Sequence, residues 1–333
     1  MTATYDKIRL HIKNNRAGEQ VFRITPERLT TTSKCHPEIA RRLDSFIDWD
    51  FDNFEESMKT AHALVTWDLP TKNLAQIAPN LRWIHIIGAG VEHLQPIDWL
   101  PRGVTLTNNR GVHALKTAES AVMAVMMLNI GMPRLFTDQR NHAWNPRFST
   151  PIAGKTIACI GVGKMGGAAA RRFKQLGLKV IGVRRGENRH RYVDTMYPPA
   201  ELKKVLSLAD FVHVTLPQTP ETIGLIGAAE LDAMKPGAGI VNFGRAQVID
   251  HPALTERLID GRIGGAILDV HNPEPLPEDS PLWDVPNLII TPHVTSDDEF
   301  SYIPLTLDLV FDNLDRLLRG KPLRNRVNPK RGY

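Results

Sequence analysis

The sequence predicts an α/β fold of two parallel-sheet domains, Rossmann-like and flavodoxin-like in type, on three observations. From Lys155 onward, short and almost wholly apolar runs (TIACIGV, KVIGV, FVHVTL, GIVNF, GGAILD, NLIITP) alternate with helix-like segments. Strands apolar on both faces belong in a parallel sheet covered by helices on both sides. The first of these runs leads at once into a glycine-rich turn and a helix. The first hundred residues repeat the alternation on a smaller scale, and the chain turns helical again after His293. The expected organisation is a domain over 108–296 that carries this glycine-rich turn, inserted into a discontinuous domain of 1–107 and 297–333.

The elements follow in order. KIRLHIK (Lys7 to Lys13) alternates with period two and reads as a strand, and Pro37 to Ile47 reads as an amphipathic helix. HALVTW is a strand, and LRWIHIIGAG is a strand running into a glycine turn. LKTAESAVMAVMMLNIGM carries Met and Ala on nearly every side, so it is expected as a helix buried between two bodies, its methionines filling gaps. HAWNPRFSTP is polar and punctuated by proline, a connection. Helices are expected near Met165–Leu176, Ala200–Leu208, Ala229–Met234 and Pro252–Asp260, and again through LTLDLVFDNLDRLLRG.

Composition narrows the class of function. Among 333 residues, 41 are Lys or Arg and 36 are Asp or Glu, and the net charge of +5 is spread along the chain. The densest basic run, Arg184 to Arg191, and the basic tail RGKPLRNRVNPKRGY lack interleaved stacking aromatics, so no nucleic-acid partner is expected. The longest apolar stretch, Ala121 to Leu128, is too short to cross a bilayer, and MTATYDKIRL lacks a signal-peptide core. Cys35 and Cys159 are too few for a disulfide framework. The expectation is a cytoplasmic protein with no membrane partner and no metal.

TIACIGVGKMGGAAARRF places Gly161, Gly163 and Gly166 in the G-x-G-x-x-G spacing between a strand and a helix, a dinucleotide fingerprint in its proper context. The following strand, KVIGV, should end in an acid that accepts hydrogen bonds from the ribose. It ends instead in Arg184 and Arg185. Guanidinium grips phosphate through paired hydrogen bonds, so the two arginines point to a 2′-phosphate and to NADPH as the preferred cofactor, with NADH allowed. Ligands of open α/β sheets bind beyond the carboxyl ends of the strands. Later strand ends, VNFGRAQVID, ILDVHNPEPLPEDSPLW and NLIITPHVTS, offer Arg245, Glu274 and His293 there.

From about Leu81 to its end the chain resembles the D-isomer-specific 2-hydroxyacid dehydrogenases, in their glyoxylate/hydroxypyruvate reductase-like branch. The motifs that carry the resemblance are GAGVEHL, NNRGVHALKTAES, the fingerprint, LPQTPET and MKPGAGIVNFGRAQVID. It implies reduction of a small 2-oxoacid to the D-2-hydroxyacid by a nicotinamide cofactor. Arg245 would hold the substrate carboxylate and 2-oxo group, His293 would act as general acid/base, and Glu274 would raise the histidine's pKa. The backbone of Ala89, Gly90 and Val91 would cradle the carboxylate. Lys164 and Met165 in the glycine turn, Leu216, Pro217 and Thr222 in LPQTPET, Asn242, Phe243 and Gly244 before the arginine, Asp269 and His293 would line the cofactor. A homodimer is implied as well. Departures are Ala246, where a glycine is usual, His271, where an aromatic is common, and HVTSDD after the catalytic histidine. Glu274 argues against the formate dehydrogenase branch, which uses Gln. No C-terminal regulatory domain follows, so serine feedback is not expected. A binding module on the same fold, a nucleotide-sensing corepressor, is the alternative; loss of NADPH absorbance with a 2-oxoacid separates the two.

Overall fold

The computed structural model describes residues 6–186 and 189–332. Glu187 and Asn188, inside the basic run Arg184 to Arg191, lie outside the described residues, as does the last residue of the basic tail. The chain forms two compact units, Met1–His113 with Asp298–Tyr333, and Ala114–Asp297.

The first unit begins with β1 (Ile8–Asn14), whose side chains are almost all buried. Helix α1 (Pro26–Cys35) starts where the Thr25 side chain accepts from the Arg28 amide and proline occupies the first turn, a strong start signal. A short α2 (Pro37–Ala40) follows, then β2 (Leu43–Trp49). The helix expected over Pro37 to Ile47 is therefore corrected: it stops at Ala40, and the rest is an edge strand paired in parallel with β1 from Ile8 opposite Leu43 to Asn14 opposite Trp49. An edge strand is half-exposed, so its polar residues mimic a helical stripe, and only the non-local pairing with β1 decides its state. Next come α3 (Phe54–Met58), β3 (Ala63–Thr66), α4 (Leu74–Ile77), β4 (Trp83–Ile86) and β5 (Thr105–Asn108). The all-parallel sheet has the order β2-β1-β3-β4-β5. That is the flavodoxin-like order. One face packs Leu10, Ile12 and Val65 against Leu307, Val310, Phe311 and Leu314 of the C-terminal helix Tyr302–Leu318. The opposite face packs Leu64, Ile84 and Ile86 against Phe54, Met58 and Leu74. A helix from the far end of the chain thus completes the core of the first unit, which is why that unit is discontinuous.

The second unit comprises α5 (Ala114–Ile130), α6 (Met132–Arg140), β6 (Thr156–Ile160), α7 (Lys164–Gln175), β7 (Lys179–Val183), β8 (Thr195–Tyr197), α8 (Leu202–Leu208), β9 (Phe211–Val214), α9 (Ala228–Ala233), β10 (Gly239–Asn242), α10 (His251–Ile259), β11 (Gly265–Leu268) and β12 (Leu288–Ile290). Its parallel sheet has the order β12-β11-β10-β9-β6-β7-β8. The winding reverses between β6 and β9, and that reversal opens a crevice at the carboxyl ends. Strands β9, β10 and β11 are buried at every position, as the unbroken apolar runs predict. Helix α5 packs on α7 and β10 through Ala118, Ala121, Ala124 and Val125. Leu115, Met123 and Ile130 on the same helix are 61, 49 and 46 % exposed, so the expectation of burial on all sides fails within this unit. Among the described residues no single helix is long and apolar enough to cross a membrane.

His213 on β9 is fully buried, set edge-on to Phe173 and Phe243 with ring centroids 5.5 and 5.8 Å away. Neither of its ring nitrogens has a hydrogen-bond partner among the described residues. Burial pushes its pKa down from 6.5 to about 4. The unfolded chain therefore takes up this proton first as pH falls, and the fold loses stability between pH 6.5 and about 4. His213→Leu is expected to remove roughly 3 kcal/mol of that acid-side loss and to stabilise the neutral protein as well. Urea unfolding measured from pH 8 to 4 checks this, and an undiminished slope in the variant would contradict it.

Candidate active site

Gly161 follows strand β6; its φ of +98° lies in the left-handed region, and a Cβ there would stand 3.0 Å from the Thr215 carbonyl oxygen. The Thr215 hydroxyl donates to the Gly161 carbonyl at 2.8 Å, joining the turn to the end of β9. Gly166 is packed tighter still: a Cβ there would lie 2.0 Å from the Gly161 oxygen, so any side chain would force the helix off the strand. Gly163 differs. A Cβ there meets nothing within 4 Å, and the residue caps α7 without a side-chain bond. The first turn of α7, with Lys164 and Met165, contains no acid. An uncapped helix start facing open space is an anion site, and it fits the pyrophosphate of a dinucleotide.

The neighbouring strand ends continue the same crevice, because β7, β6 and β9 lie side by side. Arg184 follows β7, half-buried, with its amide donating to Tyr197; Arg185 is exposed. His190 packs on the first turn of α7, where a Cβ on Gly167 would lie 2.7 Å from its Nε2. Burial, and then the charge of Arg184, push the His190 pKa down. Sequence reasoning missed this residue, since a histidine in a basic run carries no pattern of its own. Beyond β9, Leu216 and Pro217 open a turn closed by Thr222, whose hydroxyl donates to the Pro217 carbonyl at 2.7 Å and accepts from the Thr219 amide at 2.8 Å.

On the other side of the sheet, β10, β11 and β12 are consecutive neighbours. Parallel strands lie about 4.8 Å apart, so the loops leaving them start close together. Asn242 ends β10, and its side chain clips the next turn by accepting from the Gly244 amide (3.0 Å) and donating to the Arg245 carbonyl (2.9 Å). Phe243 is buried beneath this turn. Arg245 is extended, and its Nη1 donates to the Gly244 carbonyl at 2.8 Å. Ala246, next to it, is buried.

Asp269 follows β11 and is 2 % exposed. Its Oδ1 accepts from the Thr291 hydroxyl (2.6 Å) and the Val294 amide (3.0 Å), and its Oδ2 from the Thr295 amide (3.2 Å) and hydroxyl (2.5 Å). One carboxylate therefore grips the chain on both sides of His293. Ser120 of α5 braces the same loop by donating to the Thr295 carbonyl at 2.6 Å. His293 itself has a φ of +54°, a left-handed conformation that costs a residue with a side chain about 1 kcal/mol or more. Its Nδ1 lies 2.8 Å from Glu274 Oε2, and Glu274 Oε1 accepts from the His271 amide at 2.7 Å. A carboxylate on Nδ1 puts the proton there and leaves Nε2 to exchange one. Burial pushes the Glu274 carboxyl up, but the bonds from His293 and the His271 amide pull it down further, so it sits below the ordinary glutamate range. His271 Nε2 donates to the Thr291 carbonyl at 3.0 Å. His271 thus ties the loop that carries Glu274 to the loop that carries His293, a role its residue type alone does not announce.

Ala89, Gly90 and Val91 follow β4 and belong to the other unit. Ala89 and Gly90 are half-buried and Val91 is buried. The Trp67 ring covers Gly88, where a Cβ would meet it at 2.2 Å, and it stacks on His93 at 4.4 Å. Among the described residues no group of three or more His, Cys, Asp or Glu gathers as a metal site.

Residues 122–295 match the family model for the D-isomer specific 2-hydroxyacid dehydrogenase NAD binding domain. The glyoxylate/hydroxypyruvate reductase B of Pectobacterium carotovorum is 33 % identical over 89 % of this chain and 96 % of its own. A D-isomer specific 2-hydroxyacid dehydrogenase of Xanthobacter autotrophicus, solved with NADPH and MES, superposes with a TM-score of 0.83 and 29 % identity over 97 % of this chain and 99 % of that one. The D-3-phosphoglycerate dehydrogenase of Archaeoglobus fulgidus is 29 % identical over 76 % of this chain, which spans about half (48 %) of that protein's length.

Proposed function

The chain belongs to the D-isomer specific 2-hydroxyacid dehydrogenase family, and on that premise we propose that it reduces a small 2-oxoacid to the D-2-hydroxyacid with NADPH as preferred reductant. The observation that carries the reading is the pairing of His293 Nδ1 with Glu274 at 2.8 Å, on a loop two strands from Arg245. Glyoxylate or hydroxypyruvate is the substrate class, supported by the name of the Pectobacterium relative.

When bound, the reduced nicotinamide supplies a hydride to the carbonyl carbon. Gly161, Gly163, Lys164, Met165 and Gly166 would hold the pyrophosphate, and Arg184 and Arg185 the 2′-phosphate. Leu216, Pro217 and Thr222 would line the adenosine side, and Asn242, Phe243, Gly244 and Asp269 the nicotinamide side. Arg245 binds the substrate carboxylate and polarises the 2-oxo group with its planar, permanently charged fork. In the other unit, the amides of Ala89, Gly90 and Val91 would offer a nest for a carboxylate. His293 gives the Nε2 proton to the carbonyl oxygen as the carbon accepts hydride. The Glu274 carboxylate accepts from Nδ1 and so holds the ring with Nε2 free for this transfer.

His293→Asn should lower kcat by about 10²- to 10⁴-fold and leave NADPH affinity nearly unchanged. Glu274→Gln removes the carboxylate that accepts from His293 Nδ1, so kcat should fall by roughly tenfold or more with NADPH affinity nearly unchanged. Steady-state kinetics check both, and wild-type turnover in either variant would overturn that assignment.

The cofactor preference has its own test. Charge-assisted hydrogen bonds contribute roughly 1.5–3 kcal/mol each, less where solvent screens them. NADPH should therefore exceed NADH in kcat/KM by about ten- to a few hundred-fold at low salt. Arg184→Asp should reverse that order, chiefly through the cofactor KM, since a carboxylate repels phosphate and accepts from a 2′-hydroxyl. Equal efficiency with both cofactors in the wild type would refute the phosphate site.

We also infer a homodimer. Trp144 and Phe148 are 93 and 96 % exposed, and Leu115 and Met123 of α5 add to the uncovered apolar surface. Sedimentation equilibrium at micromolar concentration should give twice the chain mass; a single-chain mass would contradict it.

A further inference from the structure

A buried polar network holds the loop Ile87 to Val91 from behind. The Asn109 side chain donates both of its amide hydrogens, to the Ile87 carbonyl (2.6 Å) and to Thr306 Oγ1 (2.7 Å), and its backbone amide donates to the Gly88 carbonyl (2.9 Å). Asn108 Nδ2 donates to the Ala89 carbonyl at 2.6 Å, and the Tyr302 hydroxyl donates to Ile87 as well. With both Asn109 hydrogens used, its Oδ1 accepts, so His85 Nε2 at 2.9 Å is the protonated nitrogen. His85 Nδ1 then accepts from the Thr107 hydroxyl (2.8 Å), which in turn accepts from Trp83 Nε1 (2.8 Å). His85, Thr107, Asn109 and Thr306 are fully buried, and Asn108 is 1 % exposed.

A trans peptide points its C=O and the following N–H in opposite directions. Pinning the carbonyls of Ile87, Gly88 and Ala89 therefore aims the amides of Gly88, Ala89 and Gly90 away from the network. None of the amides from Gly88 to Val91 has an acceptor among the described residues. Successive amides without an internal acceptor form an anion nest. The glycines on either side of Ala89 make rotation of these peptide planes cheap, and one rotated plane would turn a carbonyl oxygen toward the anion. We propose that Asn108 and Asn109, with Tyr302, are positioning residues that fix these amides toward the carboxylate of the 2-oxoacid. The proposal rests on the reading of Ala89 to Val91 as the carboxylate-binding loop.

Asn108→Leu keeps the side-chain size and removes the donor to Ala89. Its KM for glyoxylate and its inhibition constant for oxamate should rise together by about tenfold, with kcat within about threefold and the NADPH dissociation constant unchanged. Tyr302→Phe, which removes one hydroxyl and keeps the ring, should raise both constants by about threefold, and it decides the matter alone if the first variant does not fold. Unmoved KM and oxamate constants, or a loss confined to kcat and NADPH affinity, would overturn the proposal. If the wild type reduced no 2-oxoacid, the proposed reaction would fall, while oxamate affinity by calorimetry would still decide the positioning role.

Discussion

The loop that carries His293 in the second unit depends on one buried carboxylate. Asp269 accepts hydrogen bonds from residues on both sides of His293, and that histidine has a left-handed backbone. Strain of this kind costs about 1–3 kcal/mol and persists only where the surroundings over-determine it. Hydrogen bonds to a charged group contribute roughly 1.5–3 kcal/mol each, so a few of them outweigh the strain. The carboxylate, its backbone and hydroxyl donors, and the Ser120 brace on Thr295 together set where the imidazole stands. Glu274 then meets a ring already in place, and His271 ties the two loops together.

The sheet makes this arrangement possible. Strands of three to five residues carry no specificity, but their parallel order brings the fingerprint, the arginine pair and the Leu216–Thr222 turn to one run of neighbours, β7, β6 and β9. It brings Arg245, Glu274 and His293 to the ends of another run, β10, β11 and β12. Groups scattered from Gly161 to His293 share one edge because every strand points the same way and every loop after a strand opens on that edge.

Much of this was legible in the sequence because it is locally encoded. Unbroken apolar runs announce strands buried on both faces, and the glycine spacing states which turn must be tight and which must stay open. Arg245, Glu274 and His293 could be named because each follows such a run. What escaped was non-local. Strand β2 reads as helix until β1 lies beside it, and β5 and β8 are short edge segments, β5 with polar residues among its few and β8 of three residues in all. Helix α1 buries only Leu29 and Thr32, so it has no stripe to detect. Asp269 was expected beside the nicotinamide. That its carboxylate also clamps the histidine's loop depends on partners more than twenty residues away. The network behind Gly88 to Val91 joins residues as far apart as Ile87 and Tyr302, a distance no sequence pattern spans.

The most direct test of the account is turnover by the purified protein. NADPH and, separately, NADH are followed by their near-ultraviolet absorbance with glyoxylate, hydroxypyruvate and a panel of larger 2-oxoacids, and the chirality of the product is determined. The account predicts oxidation of NADPH that depends on a 2-oxoacid and yields the D-2-hydroxyacid. No cofactor oxidation with any 2-oxoacid, or an L-product, would contradict it.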